Sequence, residues 1–151
     1  MNIAVLWSAL PGYAAACVRE LAGRDGIEVV AVRYSHSGEK AFDEDARQTG
    51  CPLHTIYELD PVREQWDQLR PALEEFDPDA AVMSGWAIPA FNKAARWMKE
   101  RNGITICMAD TQWHGTVKQH LGRLYSRLVL QKRFSAMLVP GKRGLQFARR
   151  M

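Results

Sequence analysis

No acidic residue follows Asp110. Residues 1–110 hold 11 Lys and Arg against 17 Asp and Glu, whereas residues 111–151 hold 9 Lys and Arg and no acid. A chain with that imbalance has one basic face, suited to a phosphate, a nucleotide, an anionic lipid surface or a nucleic acid. No recognised reading motif for nucleic acid accompanies the basic residues, so nucleic acid is not expected as a partner. Cysteine is scarce: Cys17, Cys51 and Cys107 are an odd number without metal-ligand spacing. Two of them sit in apolar runs, which predicts buried, reduced thiols in a cytoplasmic protein. No His, Cys and Asp spacing points to a metal, and no cofactor is expected. No apolar run approaches the roughly 20 residues that span a bilayer. The N-terminus lacks the basic region of a signal peptide.

Glycine is missing where a dinucleotide fold would need it most. Ser8-Ala9-Leu10-Pro11-Gly12 follows the first apolar run with a single glycine. It has neither the Gly-x-Gly-x-x-Gly of dinucleotide binding nor the Lys-[Ser/Thr] of a phosphate-cradling loop. That argues against a classical nicotinamide enzyme and against an NTPase. Trp7-Ser8-Ala9 also supplies none of the paired acids that a phosphorylated receiver carries after its first strand.

What is present suffices for one packed domain. The chain has 151 residues, 47% of them hydrophobic, and a chain of that length buries roughly 70% of its unfolded surface. Apolar or β-branched runs at residues 2–7, 27–34, 54–58, 80–84, 104–107 and 136–139 predict strands. Helical spacing predicts helices over 13–21, 61–76, 89–101, 116–134 and from 142 onward. Pro61 suits a first helical position, and Pro71 predicts a kink or break. Ala14, Cys17, Val18 and Leu21 are expected to share the inner face of the first helix. The polar stretch 35–50 is expected to be mobile. The alternation at about 25-residue spacing predicts an α/β fold, a doubly wound, mostly parallel Rossmann-like sheet of about six strands.

Ligands on such sheets bind beyond the carboxyl ends of the strands. Those ends fall at residues 8–12, 34–37, 84–86, 109–114 and 140–143. Backbone amides near Pro11 and Gly12 can approach an anion at a helix N-terminus, or the loop is a plain turn. Trp86, preceded by Gly85, forms one wall of a pocket or folds back over the sheet. Asp110 and His114 pair as base and orienting partner, or Asp110 or Thr111 caps the next helix. His120 stands among leucines and is expected to be partly buried; His36 and His54 have no evident partners. Lys118, Arg123, Arg127, Lys132, Arg133, Lys142, Arg143, Arg149 and Arg150 form a solvated helix face, or meet an anionic ligand or lipid surface.

Taken in order, Asp79-Ala-Ala-Val-Met-Ser-Gly-Trp-Ala-Ile-Pro-Ala-Phe91, the strand ending at Asp110, Leu121-Gly-Arg-Leu-Tyr-Ser-Arg-Leu-Val-Leu-Gln-Lys-Arg-Phe134 and Ala136-Met-Leu-Val-Pro-Gly-Lys-Arg143 resemble one group of enzymes. The resemblance is to the N-terminal half of glycosyltransferases of the two-domain GT-B fold, of the retaining family 4 type. It covers nearly the whole chain and is firmest from Asp79 onward.

The resemblance implies an acceptor-binding domain, 1–151, of an enzyme that moves a sugar from a nucleotide-sugar donor to an acceptor hydroxyl with retention and without a metal. It implies that residues 9–12 (Ala9, Leu10, Pro11, Gly12) lie near the donor phosphates. It places Asp110 where such enzymes often carry a histidine, with His114 further on. Gly85, Trp86, Thr111, Trp113, Lys118, Gly141 and Lys142 complete the candidate substrate contacts. The family's Glu-x7-Glu motif and its basic diphosphate clamp belong to a second domain beyond this chain, so the chain alone is expected to lack transferase activity. A cytoplasmic location with peripheral contact to an anionic membrane is expected. The alternative is a non-catalytic Rossmann-like module that binds a nucleotide, phosphate or protein partner through its basic face.

Overall fold

The computed structural model describes residues 1–8, 12–35, 49–57 and 62–151. The strands are β1 (Asn2–Ser8), β2 (Glu28–Ser35), β3 (Leu53–Tyr57), β4 (Ala80–Met83), β5 (Ile104–Met108) and β6 (Ala136–Leu138). They form one sheet in the order β3-β2-β1-β4-β5-β6. Every neighbouring pair is parallel. The chain therefore starts in the middle of the sheet, winds out to one edge, returns, and winds out to the other. Continuous apolar runs are what strands covered on both faces require, and β1 shows why. Ile3 and Val5 face Ala14 and Val18 of α1 (Gly12–Ala22), while Ala4 and Leu6 face the opposite layer.

That opposite layer is the thicker one. Leu69 and Leu73 of α2 (Val62–Phe76) and Phe91, Ala94, Ala95 and Met98 of α3 (Pro89–Glu100) pack there on Val30, Val32, Ala81 and Met83. Pro89 opens α3 with its fixed φ. Asn102, at φ 61°, and Gly103 close it, the Gly103 amide donating to Met98 O at 2.8 Å.

Two expectations are corrected here. Pro71 lies inside α2 without breaking it. Its ring is on the exposed side, and buried Leu69 and Leu73 hold the turns on either side of it against the sheet. Cys17 is exposed, not buried. Ala14, Ala15 and Val18 form the inner face of α1 instead, because the small alanines let the helix sit close to the sheet. Ala9, Leu10, Pro11, the stretch 36–48 with His36, and Pro61 lie outside the described residues, as does the expectation of mobility at 36–48.

After β5 the chain runs as a loop to α4. This helix comprises Val117–Tyr125, a π-helical turn Ser126–Leu130 and a last turn Gln131–Arg133. Buried Thr105 of β5 anchors its end: the hydroxyl donates to Arg133 O at 2.6 Å and accepts from the Ser135 amide at 3.2 Å. Helix α5 (Gly141–Arg150) follows β6, and Phe147 and Met151 turn inward beneath the strand ends. No helix among the described residues is long and apolar enough to cross a membrane.

Candidate functional site

Beyond the carboxyl ends of β4 and β5 lies an open cleft of about 590 Å3. Its first wall is the turn after β4. The Ser84 amide continues the ladder to Leu6 O at 2.9 Å, and the Ser84 hydroxyl accepts from the Ser8 amide at 2.8 Å. Gly85 then adopts φ 90°, a backbone conformation that a side chain would strain. A Cβ there would have ordinary room, 3.8 Å from Met108 O, so it is the backbone angle that calls for glycine. The turn sends Trp86 over the strand ends, half-buried, as part of the cleft wall. The Trp86 carbonyl accepts from Asn92 Nδ2 at 2.7 Å, and Asn92 Oδ1 accepts from Arg133 at 3.2 Å. The turn is thereby tied to both α3 and the end of α4.

The opposite rim is the segment after β5. Ala109 is buried and its amide donates to Leu138 O at 3.0 Å. Asp110 and Thr111 emerge exposed at the mouth, with His114 further along the rim. The N-cap of α4 is Thr116, whose hydroxyl accepts from the Gln119 amide at 3.3 Å, and neither Asp110 nor Thr111 fills that role. Gln119 uses its side chain to brace the loop: it accepts from the His114 amide at 2.7 Å and donates to Gln112 O at 2.6 Å. The spacing Thr116-x-x-Gln119 is a capping-box pattern and carried a signal for this start. Lys118 and Gly122 continue the rim, and Phe147 and Met151 form an apolar floor.

Among the described residues Asp110 has no hydrogen-bond or ion-pair partner. Asp110, His114 and Lys118 share one cleft with the Ser84–Trp86 turn. That arrangement can hold a polyhydroxylated or phosphorylated group against an apolar base. Trp113 is not on the lining. Its ring meets His120 edge-on at 5.2 Å and Phe147 at 6.4 Å, with Arg150 stacked over it at 5.3 Å. His120 itself is exposed, contrary to expectation. Gly141 and Lys142 begin α5 and are also outside the lining, and Gly12 is exposed at the start of α1. Met108, Thr116 and Gln119 line the cleft without having been singled out from the sequence.

Cys107 lies buried just under this cleft. Burial pushes its thiol up from the usual 9.0 to about 11, only partly offset by a hydrogen bond from the Gly85 backbone. Near pH 8 that lowers its thiolate share about a hundredfold. Iodoacetamide is therefore expected to modify exposed Cys17 in the native protein and to spare Cys107 until the chain is unfolded. Peptide mass mapping of a time course checks this, and early labelling of Cys107 would show the sheet to be open at β5.

No protein-family model matches the sequence, and no curated protein sequence does either. Solved structures do match. UDP-GlcNAc 2-epimerase from Neisseria meningitidis, bound to UDP-GlcNAc, gives a TM-score of 0.66 at 12% identity, over 99% of this chain and 42% of the epimerase. The UDP-GlcNAc 2-epimerase from Methanocaldococcus jannaschii gives 0.64 at 12% identity, over 99% and 42%. The chain has the fold of one GT-B half. It spans about two fifths of the length of those epimerases. An NAD+-bound xylitol dehydrogenase gives 0.58 at 13% identity, over 97% of this chain and 73% of that one. Such a match reflects the shared parallel sheet. At these identities the likeness concerns the fold alone.

Proposed function

We propose that this chain is the acceptor-side half of a two-lobed glycosyltransferase, which moves a sugar from a nucleotide-sugar donor to an acceptor hydroxyl with retention. The observation that carries the reading is the cleft at the ends of β4 and β5, in which unpaired Asp110 opposes the Trp86 turn. A GT-B architecture uses that edge of the sheet as half of an inter-lobe groove, and the epimerases of the same fold handle nucleotide sugars.

Sugar transfer develops positive charge at the anomeric carbon and negative charge on the departing phosphate. Placement and charge stabilisation then matter more than a strong base. In this reading Asp110 accepts a hydrogen bond from an acceptor or sugar hydroxyl. Trp86 presents an apolar face to a pyranose ring. Thr111, His114 and Lys118 contact the hydroxyls or a charged group of the acceptor. In this reading the donor's main contacts come from a second lobe.

An amide chemical-shift titration tests the reading. Because the proposed role is on the acceptor side, glucose and N-acetylglucosamine at high concentration are expected to move the signals of Gly85, Trp86, Asp110, Thr111 and Thr116, while NAD+ leaves them in place. Shifts caused by NAD+ and by neither sugar would replace the reading with a dinucleotide site. Strand-end signals that stay still under every ligand would remove the cleft from consideration as a sugar site.

A further inference from the structure

Helix α4 is built the wrong way round for a helix on a folded domain. Its inward residues are small or polar at first, Gly122 and buried Ser126, before Leu130. Its large apolar residues point out: Val117 is 77% exposed, Leu121 65%, Leu124 57%, Tyr125 43% and Leu128 60%. Their spacing of three and four puts them on one face. The stripe covers about three helical turns, roughly 16 Å. By the same geometry Lys118 borders it on one side and Arg127 on the other, and Arg123 and Lys132 are also exposed on the helix. Among the described residues none of these four cations has an ion-pair partner, and the chain holds no acid from residue 111 onward.

We infer that α4 is a membrane-docking element, lying flat in the interfacial zone of an anionic bilayer with its apolar stripe among the acyl chains and its cations at the headgroups. A contiguous exposed apolar stripe marks an interaction surface. Apolar residues bordered by Lys and Arg are what an interfacial helix presents. Charge decides between occupants. A second copy of this chain would bring two acid-free segments of nine bases each against one another. A nucleic acid would answer the cations but leave five apolar side chains in water. Anionic lipid satisfies both features, and each Lys or Arg near such a surface adds attraction that salt weakens.

The inference does not depend on the proposed activity. Where that activity holds, one consequence follows: Lys118 and Gly122 belong both to α4 and to the cleft rim. A lipid-seated helix therefore holds the cleft mouth beside the headgroups, where a lipid-anchored acceptor would be presented.

Vesicle co-sedimentation tests the docking separately from any sugar chemistry. Vesicles of phosphatidylcholine alone are compared with vesicles about one third phosphatidylglycerol. The protein is expected to pellet with the anionic vesicles at least tenfold more strongly, and to be released as salt is raised. The variant L121Q/L124Q/L128Q, altered only at exposed positions, is expected to lose binding while keeping its circular dichroism spectrum and melting temperature. The variant R123Q/R127Q/K132Q is expected to weaken binding and to lose the salt dependence. Equal binding to both vesicle types, or undiminished binding by the leucine variant, overturns the inference. So does a wild-type dimer in light scattering that the leucine variant converts to monomer, which would assign the stripe to a second copy.

Discussion

Phe91→Ala lowers the stability of the domain by about 4 kcal/mol and its melting temperature by about 10 °C. Phe91 is fully buried in α3 at the centre of the larger apolar layer. Its ring meets Tyr34 of β2 edge-on at 6.4 Å and an interplanar angle of 75°. Truncation removes the apolar contact and leaves a cavity bounded by a rigid sheet, which cannot collapse to fill it. Because a domain is stable by only about 5–15 kcal/mol in all, the loss is a large share of the total. Leu121→Ala is the control. Leu121 is a large apolar residue of the same class, but it is exposed on α4, so a change within about 0.5 kcal/mol is expected. Urea unfolding followed by tryptophan fluorescence measures both. A Phe91→Ala loss below about 1 kcal/mol would mean that α3 does not pack on the sheet as described.

The contrast between those two residues marks what could be learned from the sequence. Strands of the Ile3–Leu6 and Val29–Val32 kind announce themselves, because a strand covered on both faces has no room for a polar residue. Breaker pairs such as Asn102-Gly103 mark their limits, and the alternation with helices leaves few topologies. Helical periodicity is a weaker witness. It states which residues share a face and not where the face points. In α3 the apolar face is the buried one. In α4 the equally regular stripe Val117, Leu121, Leu124 and Leu128 faces outward, and Gly122 and Ser126 take the inner side. The π-helical turn at Ser126–Leu130 leaves no compositional mark. Cys17 misleads for a related reason: on a helix of alanines, several faces are small and apolar enough to pack.

The site was legible as a set of strand ends and not as a constellation. The rule that ligands sit beyond the carboxyl ends of parallel strands singled out Gly85, Trp86, Asp110, Thr111 and His114, which line one cleft there. It could not separate lining residues from their supports. Trp113 is one support, held among His120, Phe147 and Arg150. Gln119, which braces the loop from below, comes from the following helix, and its hydrogen bonds to His114 and Gln112 depend on how that loop doubles back.

Asp110→Asn is expected to weaken binding of an acceptor-type sugar by about tenfold or more while leaving folding untouched. The two halves of that statement rest on one feature. Among the described residues Asp110 makes no hydrogen bond and no ion pair, and it is exposed at the cleft mouth. Its replacement therefore removes no contact from the fold, and stability should move by no more than about 0.5 kcal/mol. A hydrogen bond from a ligand hydroxyl to a carboxylate contributes about 1.5–3 kcal/mol, which corresponds to roughly ten- to 150-fold in affinity. Asparagine keeps the size and one acceptor oxygen but loses the charge, so the loss measures the charged contact alone. UDP serves as the discriminating ligand: removal of a carboxylate cannot weaken a phosphate contact, so the variant is expected to lose affinity for the sugar and none for UDP. Calorimetry on the four combinations of protein and ligand decides it. Unchanged affinity for the sugar, or an equal loss for both ligands, would end the assignment of Asp110 as a sugar contact.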